Sequence, residues 1–285
     1  MKVSIVTINY NNAEGLRKTM ESVFAQTGDN IEYIVVDGAS SDDSVDIIKE
    51  YAQKFENGGC KLENFQWISE KDSGIYNAMN KGVKMAKGEY VLMLNSADCF
   101  TNEHVVERVL PELDGTDIVQ GNLVELQSNG KIRNRGYGRS DINYADVFAG
   151  HFPHQASFCR HDLFEKYGYF DETYRICGDT KFFMTCLGLY NASFKYVDID
   201  ITDYDCTGIS SITSGEWFDK HNEELIRLRK EIFPYRLWKY IYENDKKIKL
   251  YDKLHEHRWI WYIAMVGAHL YKWLYEKREK FEVVD

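Results

Sequence analysis

Two carboxylates flank the stretch of this chain whose residue types best suggest chemistry. Glu70-Lys71-Asp72-Ser73-Gly74 leads into Ile75 to Gly82, and the apolar run Tyr90 to Leu94 then ends in Asn95-Ser96-Ala97-Asp98. Asp72 and Asp98 thus fall in loops on either side of one short helix–strand unit, beside a backbone free to turn at Gly74. A diphosphate held through a cation suits that arrangement. A hard ion such as Mg²⁺ or Mn²⁺ takes oxygen ligands, and with phosphates and water in its shell it needs only one or two protein carboxylates. Asp98 is the candidate metal ligand. Asp37 closes the earlier run Ile31 to Val36 and can accept hydrogen bonds from a ribose or a base edge, although it could equally shape a turn. Thr7 and Asn9 close the first run, where their side chains can bond a base or ribose, or cap the next helix. Together these residues point to a nucleotide-type ligand.

Such residues need a scaffold that gathers them at one edge. Val3 to Ile8 reads as a buried strand, and Leu16, Met20, Val23 and Phe24 give the apolar stripe of a helix starting after Asn11-Asn12. Ile31 to Val36 is a second strand, followed by a turn through Asp37 to Asp42 and a helix bearing Val45, Ile48 and Tyr51. Phe65 to Ser69 is a third strand, a helix follows through Tyr76, Met79, Asn80 and Val83, and Tyr90 to Leu94 is a fourth strand. Alternation of this kind predicts a mostly parallel α/β sheet, whose ligands bind outside the carboxyl ends of the strands. Beyond it the pattern turns antiparallel, with strands at Ile118 to Leu126 and Gln155 to Cys159 and a turn near Ser128-Asn129-Gly130. Helices are predicted from Asp162 to near Gly168 and from Asp179 to Leu189. The expectation is one catalytic domain over residues 1–215, with a ligand half to about 100 and an acceptor half beyond, and a helical tail over 216–285.

Composition narrows the class. A chain of 285 residues, 44% hydrophobic with three prolines, has enough apolar content for a sizeable core. Its net charge of −10 does not suit binding to nucleic acid. The six cysteines are scattered with no C-x-x-C pair, which indicates reduced cytosolic thiols rather than zinc or a disulfide framework. His151 and His154 are spaced H-x-x-H, but Pro153 lies between them and no third ligand has matching spacing. The apolar run after Lys2 is too short for a signal peptide, so a cytoplasmic location is expected.

As a set, Val3 to Asn11, Val36-Asp37-Gly38-Ala39-Ser40, Glu70 to Gly82, Leu94 to Asp98, His154-Gln155 and Gly178-Asp179 resemble the family 2 glycosyltransferases. The resemblance covers roughly residues 2–212. It implies a GT-A fold, that is, a Rossmann-like, mostly parallel sheet flanked by helices. It also implies a nucleotide-sugar donor (UDP by analogy), a divalent cation, and transfer with inversion at the anomeric carbon. By the same resemblance Thr7, Asn9, Asp37, Asp72 and Asn95 line the donor pocket, Asp98 holds the metal, and His154 and Gln155 sit on the acceptor side. Asp179, heading a helix, is the implied base that takes the acceptor's proton, its alternative being a plain helix cap. The family usually carries a D-x-D or D-D pair where this chain has Asn95, Ser96 and Ala97 before a single acid. The expected acceptor is a hydroxyl of a glycan or a lipid-linked molecule in cell-surface polysaccharide or glycolipid assembly.

Other classes fare worse, since there is no G-x-G-x-x-G after a strand, no Walker A lysine loop and no G-x-S-x-G elbow. A sugar-1-phosphate nucleotidyltransferase would share the sheet and the cation, but Asn9-Tyr10-Asn11-Asn12 stands where its glycine-rich loop belongs. A nucleotide-sugar-binding protein without catalysis is the other alternative. The tail is a separate matter. From Ile226 onward it has 14 Lys and Arg against 9 Asp and Glu, interleaved with Trp and Tyr, and its most apolar piece, Trp259 to Ala268, is too short to cross a bilayer. Peripheral contact with the inner membrane face and homodimerisation are its two readings.

Overall fold

The structure, a computed structural model, describes residues 2–127, 130–134, 136–205 and 215–244. Its elements run β1 (Val3–Asn9), α1 (Ala13–Phe24), β2 (Ile31–Asp37), α2 (Ser44–Glu56), β3 (Asn64–Ser69), α3 (Ile75–Met85) and β4 (Tyr90–Met93). Then come β5 (Cys99–Phe100), α4 (Val105–Val109), β6 (Ile118–Gln127), β7 (Gly130–Asn134), α5 (Tyr144–Ala149), β8 (Ser157–Arg160) and α6 (Asp162–Tyr167). The last are α7 (Gly178–Met184), β9 (Phe194–Asp205), α8 (Glu216–Ile232) and α9 (Tyr235–Asn244). Asn12 caps α1 through its side chain, which accepts from the amide of Gly15.

Among the described residues nine strands form one sheet in the order β3-β2-β1-β4-β8-β6-β9-β5, with β7 paired to β6. The four strands β3, β2, β1 and β4 are parallel, as the alternation with helices predicts. The antiparallel character expected of the second half is present where β8 joins β4 and β6 and where β5 joins β9, while β6 and β9 run parallel. All seven residues of β2 are buried, which its near-continuous apolar run anticipates for a strand covered on both faces. Glu32 in that strand is fully buried and still satisfied. Ser4 Oγ and the Lys87 amide donate to one carboxylate oxygen, and the amides of Asn64 and Gln66 donate to the other.

Three local readings change. The strand predicted from Gln155 begins two residues later, because His154–Ala156 forms a 3₁₀ turn after Pro153. The helix predicted over Asp179 to Leu189 is regular only to Met184, and Thr185–Leu189 closes as a π turn. The long strand β9 has no counterpart in the sequence reading, although Val197, Ile199 and Ile201 are buried at the period of two that marks a strand.

The chain divides into two units, Met1–Ile232 and Phe233–Asp285. Helix α8, placed in the tail by the sequence reading, therefore belongs to the first unit. The reason is Glu224, 8% exposed, whose carboxylate accepts from three successive backbone amides: Arg175 at 2.8 Å, Ile176 at 2.8 Å and Cys177 at 3.0 Å. Lys181 adds an ion pair to Glu231 at 2.8 Å. Of the second unit, α9 is described. The membrane and dimer readings apply to the tail over 216–285, of which residues 245–285, like Cys206, lie outside the described residues. Among the described residues no helix is long and apolar enough to cross a membrane.

Glu224→Ala leaves three N–H groups, two of them buried, without their acceptor and should destabilise the first unit by roughly 3 kcal/mol. Urea unfolding would read this as a lower midpoint at unchanged slope. An unchanged midpoint would show that water replaces the carboxylate.

Candidate active site

The carboxyl ends of β1, β2 and β4 bring most of the predicted residues together, in two clusters joined by one loop. In the first cluster, Asn9 Nδ2 donates to Asp37 Oδ1 at 2.9 Å, and Asn9 Oδ1 accepts from Ser96 Oγ at 2.7 Å. Asp37 is fully buried. Besides Asn9 it accepts from Ser40 Oγ at 2.6 Å, the Ser40 amide at 2.9 Å and Ser69 Oγ at 2.7 Å. Burial pushes its carboxyl up, but the hydrogen bonds of Ser40, Ser69 and Asn9 outweigh this and hold it below the usual carboxylate value. Asp72 lies against the same loop. A Cβ on Gly38 would stand 2.6 Å from Asp72 Oδ2, so glycine is what lets the second carboxylate approach.

Thr7, expected in the donor pocket, is fully buried. Its hydroxyl donates to Leu94 O at 2.7 Å and accepts from Tyr33 at 3.0 Å, which ties β1 to β2 and to the end of β4 instead of facing a ligand. Asp37 is likewise closed off by four donors, so in this structure it shapes the loop and presents no open oxygen.

The second cluster centres on Asp179, at the start of α7. His154 Nδ1 lies 2.9 Å from Asp179 Oδ2, and Tyr76 OH donates to Asp179 Oδ1 at 3.0 Å. Tyr76 also reaches Ile176 O, so its single proton is shared between two acceptors. The side chains of His154 and Asp179 are 14% and 18% exposed. Burial raises the Asp179 carboxyl, yet the hydrogen bond and charge of His154, with the Thr180 amide and Tyr76, hold it below its ordinary value. Burial, then the charge of Asp179, pushes the Tyr76 phenol well up. A Cβ on Gly178 would stand 2.7 Å from the Tyr76 ring, which explains the glycine before Asp179.

The loop after β4 joins the clusters. Asn95 Nδ2 stands 3.3 Å from His154 Nε2, while Ser96 bonds Asn9 and also Ile8 O at 2.9 Å. Ala97 takes a left-handed conformation at φ 81°, and Asp98 is 5% exposed. Thr19 Oγ1 on α1 secures this geometry by accepting from the Ala97 amide at 3.0 Å and donating to Asp98 O at 2.8 Å. Burial and the charge of Asp98 push the next thiol, Cys99, up to about 11. Gln155 is 7% exposed, and its carbonyl accepts from Thr202 at 2.6 Å, which pins the turn carrying His154. Among the described residues no three His, Cys, Asp or Glu side chains converge as a preformed metal cage. Asp98 as a single hard carboxylate fits a cation that shares its shell with substrate phosphates.

Residues 4–193 match the family described as Glycosyl transferase family 2. The chain belongs to that family. An uncharacterised glycosyltransferase of Mycobacterium tuberculosis is 34% identical over 217 residues, which cover 73% of this chain and 77% of that protein. A Mycobacterium bovis protein named as a PGL/p-HBAD biosynthesis glycosyltransferase is 29% identical over 205 residues, 71% of this chain and 76% of that one. Among solved structures, S. aureus TarS residues 1–349 with UDP-GlcNAc superposes with TM-score 0.61 at 19% identity, covering 80% of this chain and 65% of that chain. The longer TarS structure is covered only to 39% of its length. The Pyrobaculum calidifontis mannosyltransferase PcManGT with GDP-Man and Mn²⁺ gives 0.53 at 16% identity, covering 69% and 55%. The fold of this glycosyltransferase is therefore GT-A.

The sequence reading of this family 2 enzyme misses Tyr76, Thr19 and Glu224. Tyr76 sits inside the block that drew attention, but as a helix-stripe residue it looked like core. Glu224 has no sequence signal, because its amide partners lie 47 to 49 positions away.

The four donors around Asp37 give a prediction with a definite sign. Its folded pKa is depressed, so its stabilisation is present above the unfolded value of about 3.9 and is lost as pH falls through the folded value. Asp37→Asn turns an NH₂ toward donors and should cost roughly 1–3 kcal/mol near pH 7. The gap between the two proteins should narrow below about pH 4, as the native carboxyl takes up a proton. Thermal melts from pH 3 to 8 measure this, and a gap independent of pH would refute it.

Proposed function

We propose that this glycosyltransferase moves a sugar from a nucleotide-diphosphate donor, with UDP the first choice, to a hydroxyl of a glycan or lipid-linked acceptor with inversion at the anomeric carbon. The observation that carries the reading is the loop Asn95–Asp98, which meets the Asn9–Asp37–Asp72 cluster on one side and the His154–Asp179 pair on the other. The UDP-GlcNAc in the TarS structure and the biosynthetic name of the mycobacterial relative support the donor and the glycolipid or polysaccharide setting.

Inverting transfer needs one base for the acceptor hydroxyl and no second carboxylate to form a glycosyl intermediate. The His154–Asp179 pair fills that need. The donor's diphosphate lies, in this reading, near Asp72 and Asp98. A divalent cation, Mn²⁺ or Mg²⁺, bound through Asp98 would neutralise the charge that grows on the departing diphosphate. The chain's own residues do the rest: Asn9, Asp37 and Ser96 fix the loops around the nucleotide, and His154 and Gln155 border the acceptor.

Two measurements test this, both reading UDP release from a panel of UDP- and GDP-sugars. Asp179→Asn should keep UDP binding by calorimetry but slow release by a hundredfold or more. Near-native turnover would remove Asp179 from the chemistry. Excess EDTA should weaken UDP binding to the native protein and Mn²⁺ should restore it, whereas Asp98→Ala should gain little from Mn²⁺. Unchanged binding and turnover in EDTA would dismiss the metal.

A further inference from the structure

Helix α3 connects the loop that carries Asp72 with the segment that leads into α7. Tyr76 and Asn80 are four residues apart and so share one face of that helix, and both reach this segment. Asn80 pairs with the backbone of Phe170 in both directions, Nδ2 donating to the carbonyl at 2.9 Å and Oδ1 accepting from the amide at 3.0 Å. Asn77 and Asn80 each donate to Glu172 at 3.0 Å. The helix thus grips residues 170–172, and at its first turn Tyr76 reaches Ile176 O and Asp179 Oδ1.

The phenol oxygen is a fixed point. Tyr76 is 5% exposed, and its ring lies against Gly178 and beside the Phe170 ring, with 6.0 Å between the two ring centroids. Packing alone would accept a phenylalanine here, so the hydroxyl has a separate role to explain. Its bond to a carboxylate is charge-assisted and therefore stronger than one to a neutral acceptor. Burial, then the charge of Asp179, pushes the phenol well up, so it stays a donor at any working pH. His154 holds the other oxygen of Asp179 from the turn before β8. Partners on two different elements, one at each oxygen, fix the plane of the carboxylate, and each oxygen keeps room for a further hydrogen bond.

We propose that Tyr76 is a positioning residue for glycosyl transfer, its hydroxyl holding the Asp179 carboxylate so that a free lone pair meets the acceptor hydroxyl. This rests on the reading above, with Asp179 as the base, and deepens it. As the acceptor oxygen's electron pair forms the new bond to the anomeric carbon, its proton passes to Asp179. The bond from that carbon to the diphosphate breaks, and its electron pair leaves with the diphosphate. Geometry is decisive for such a step, since a misplacement of about 1 Å can cost a hundredfold in rate. Tyr76 follows Asp72 by four positions, so the same short block sets the loop assigned to the donor and the direction of the base.

The test uses the full-length chain with UDP-GlcNAc and the other donors of the panel, reading UDP release with water as acceptor and UDP binding by calorimetry. Tyr76→Phe keeps the ring, so it should keep UDP affinity and donor KM while kcat falls roughly tenfold or more. Placed in the Asp179→Asn background, the same substitution should change the remaining rate by less than about twofold, because a residue that acts through Asp179 has nothing left to position. Proton NMR near pH 7 gives a readout without turnover: a hydroxyl resonance protected from exchange, absent in Tyr76→Phe and shifted in Asp179→Asn. Native kcat in Tyr76→Phe while Asp179→Asn is dead, a loss carried by KM alone, an undiminished loss in the Asp179→Asn background, or a hydroxyl resonance indifferent to Asp179→Asn would each overturn the proposal. Near-native turnover of Asp179→Asn, or no UDP bound or released from any donor, would instead count against the reading of the site, and the resonance would then decide by itself whether the phenol holds the carboxylate.

Discussion

One buried hydroxyl governs the geometry of the cleft. Thr19 is fully buried on α1, accepts from the Ala97 amide and donates to Asp98 O, and so holds the loop after β4 in a shape that its own sequence disfavours. Ala97 stands in the left-handed region, where a residue with a Cβ pays roughly 1 kcal/mol or more. The same loop aims two successive side chains at the two clusters, Asn95 to His154 and Ser96 to Asn9. The Ser96 bonds to Ile8 O and Asn9 fasten the other side of the loop, so the tie to α1 and the tie to β1 together keep the two clusters in contact.

The buried carboxylates of this chain differ in what satisfies them, and that difference separates scaffold from chemistry. Glu32, Asp37 and Glu224 are each surrounded by donors that do not titrate near neutrality, namely hydroxyls, amides and backbone N–H groups. Each joins segments distant in sequence: Glu32 binds β1, β2 and β3, Asp37 fastens the ends of the same strands, and Glu224 braces the turn that precedes α7. Asp179 differs because one of its donors is an imidazole. An imidazole can donate or accept at either ring nitrogen, so this carboxylate alone of the four faces a partner whose hydrogen-bonding role can change.

The parallel half was legible because its strands are apolar runs separated by amphipathic helices, as Val3 to Ile8, Leu16 to Phe24 and Ile31 to Val36 show. The loops after them were legible as polar and acidic punctuation. The sequence could not say which polar residues face inward. Thr7 and Asp37 sit at strand ends, where a ligand could lie, yet each is consumed by neighbours from other strands. That outcome depends on register, with Asn9 opposite Asp37 and Asp37 opposite Ser69, and a strand's register appears only once the sheet is assembled. In the second half the polar residues Tyr196, Asp198 and Asp200 on β9 diluted its apolar signal. They are there because Asn122 and Arg133 bond them across the sheet. The bracing of α7 by α8 is illegible for a simpler reason, since nothing local marks a glutamate that caps a turn nearly fifty residues away.

The loop after β4 carries a single acid, and an amide stands at position 95 against His154. A carboxylate at position 95 would stand against His154 Nε2 and put a second negative charge beside a ring that Asp179 already faces through Nδ1. The amide of Asn95 carries no charge, and it can donate to the ring or accept from it. Under the proposed function a cation would have Asp98 as its protein ligand in this loop, and the donor's phosphates would complete the shell. Binding of the ion would then be tied to binding of the donor.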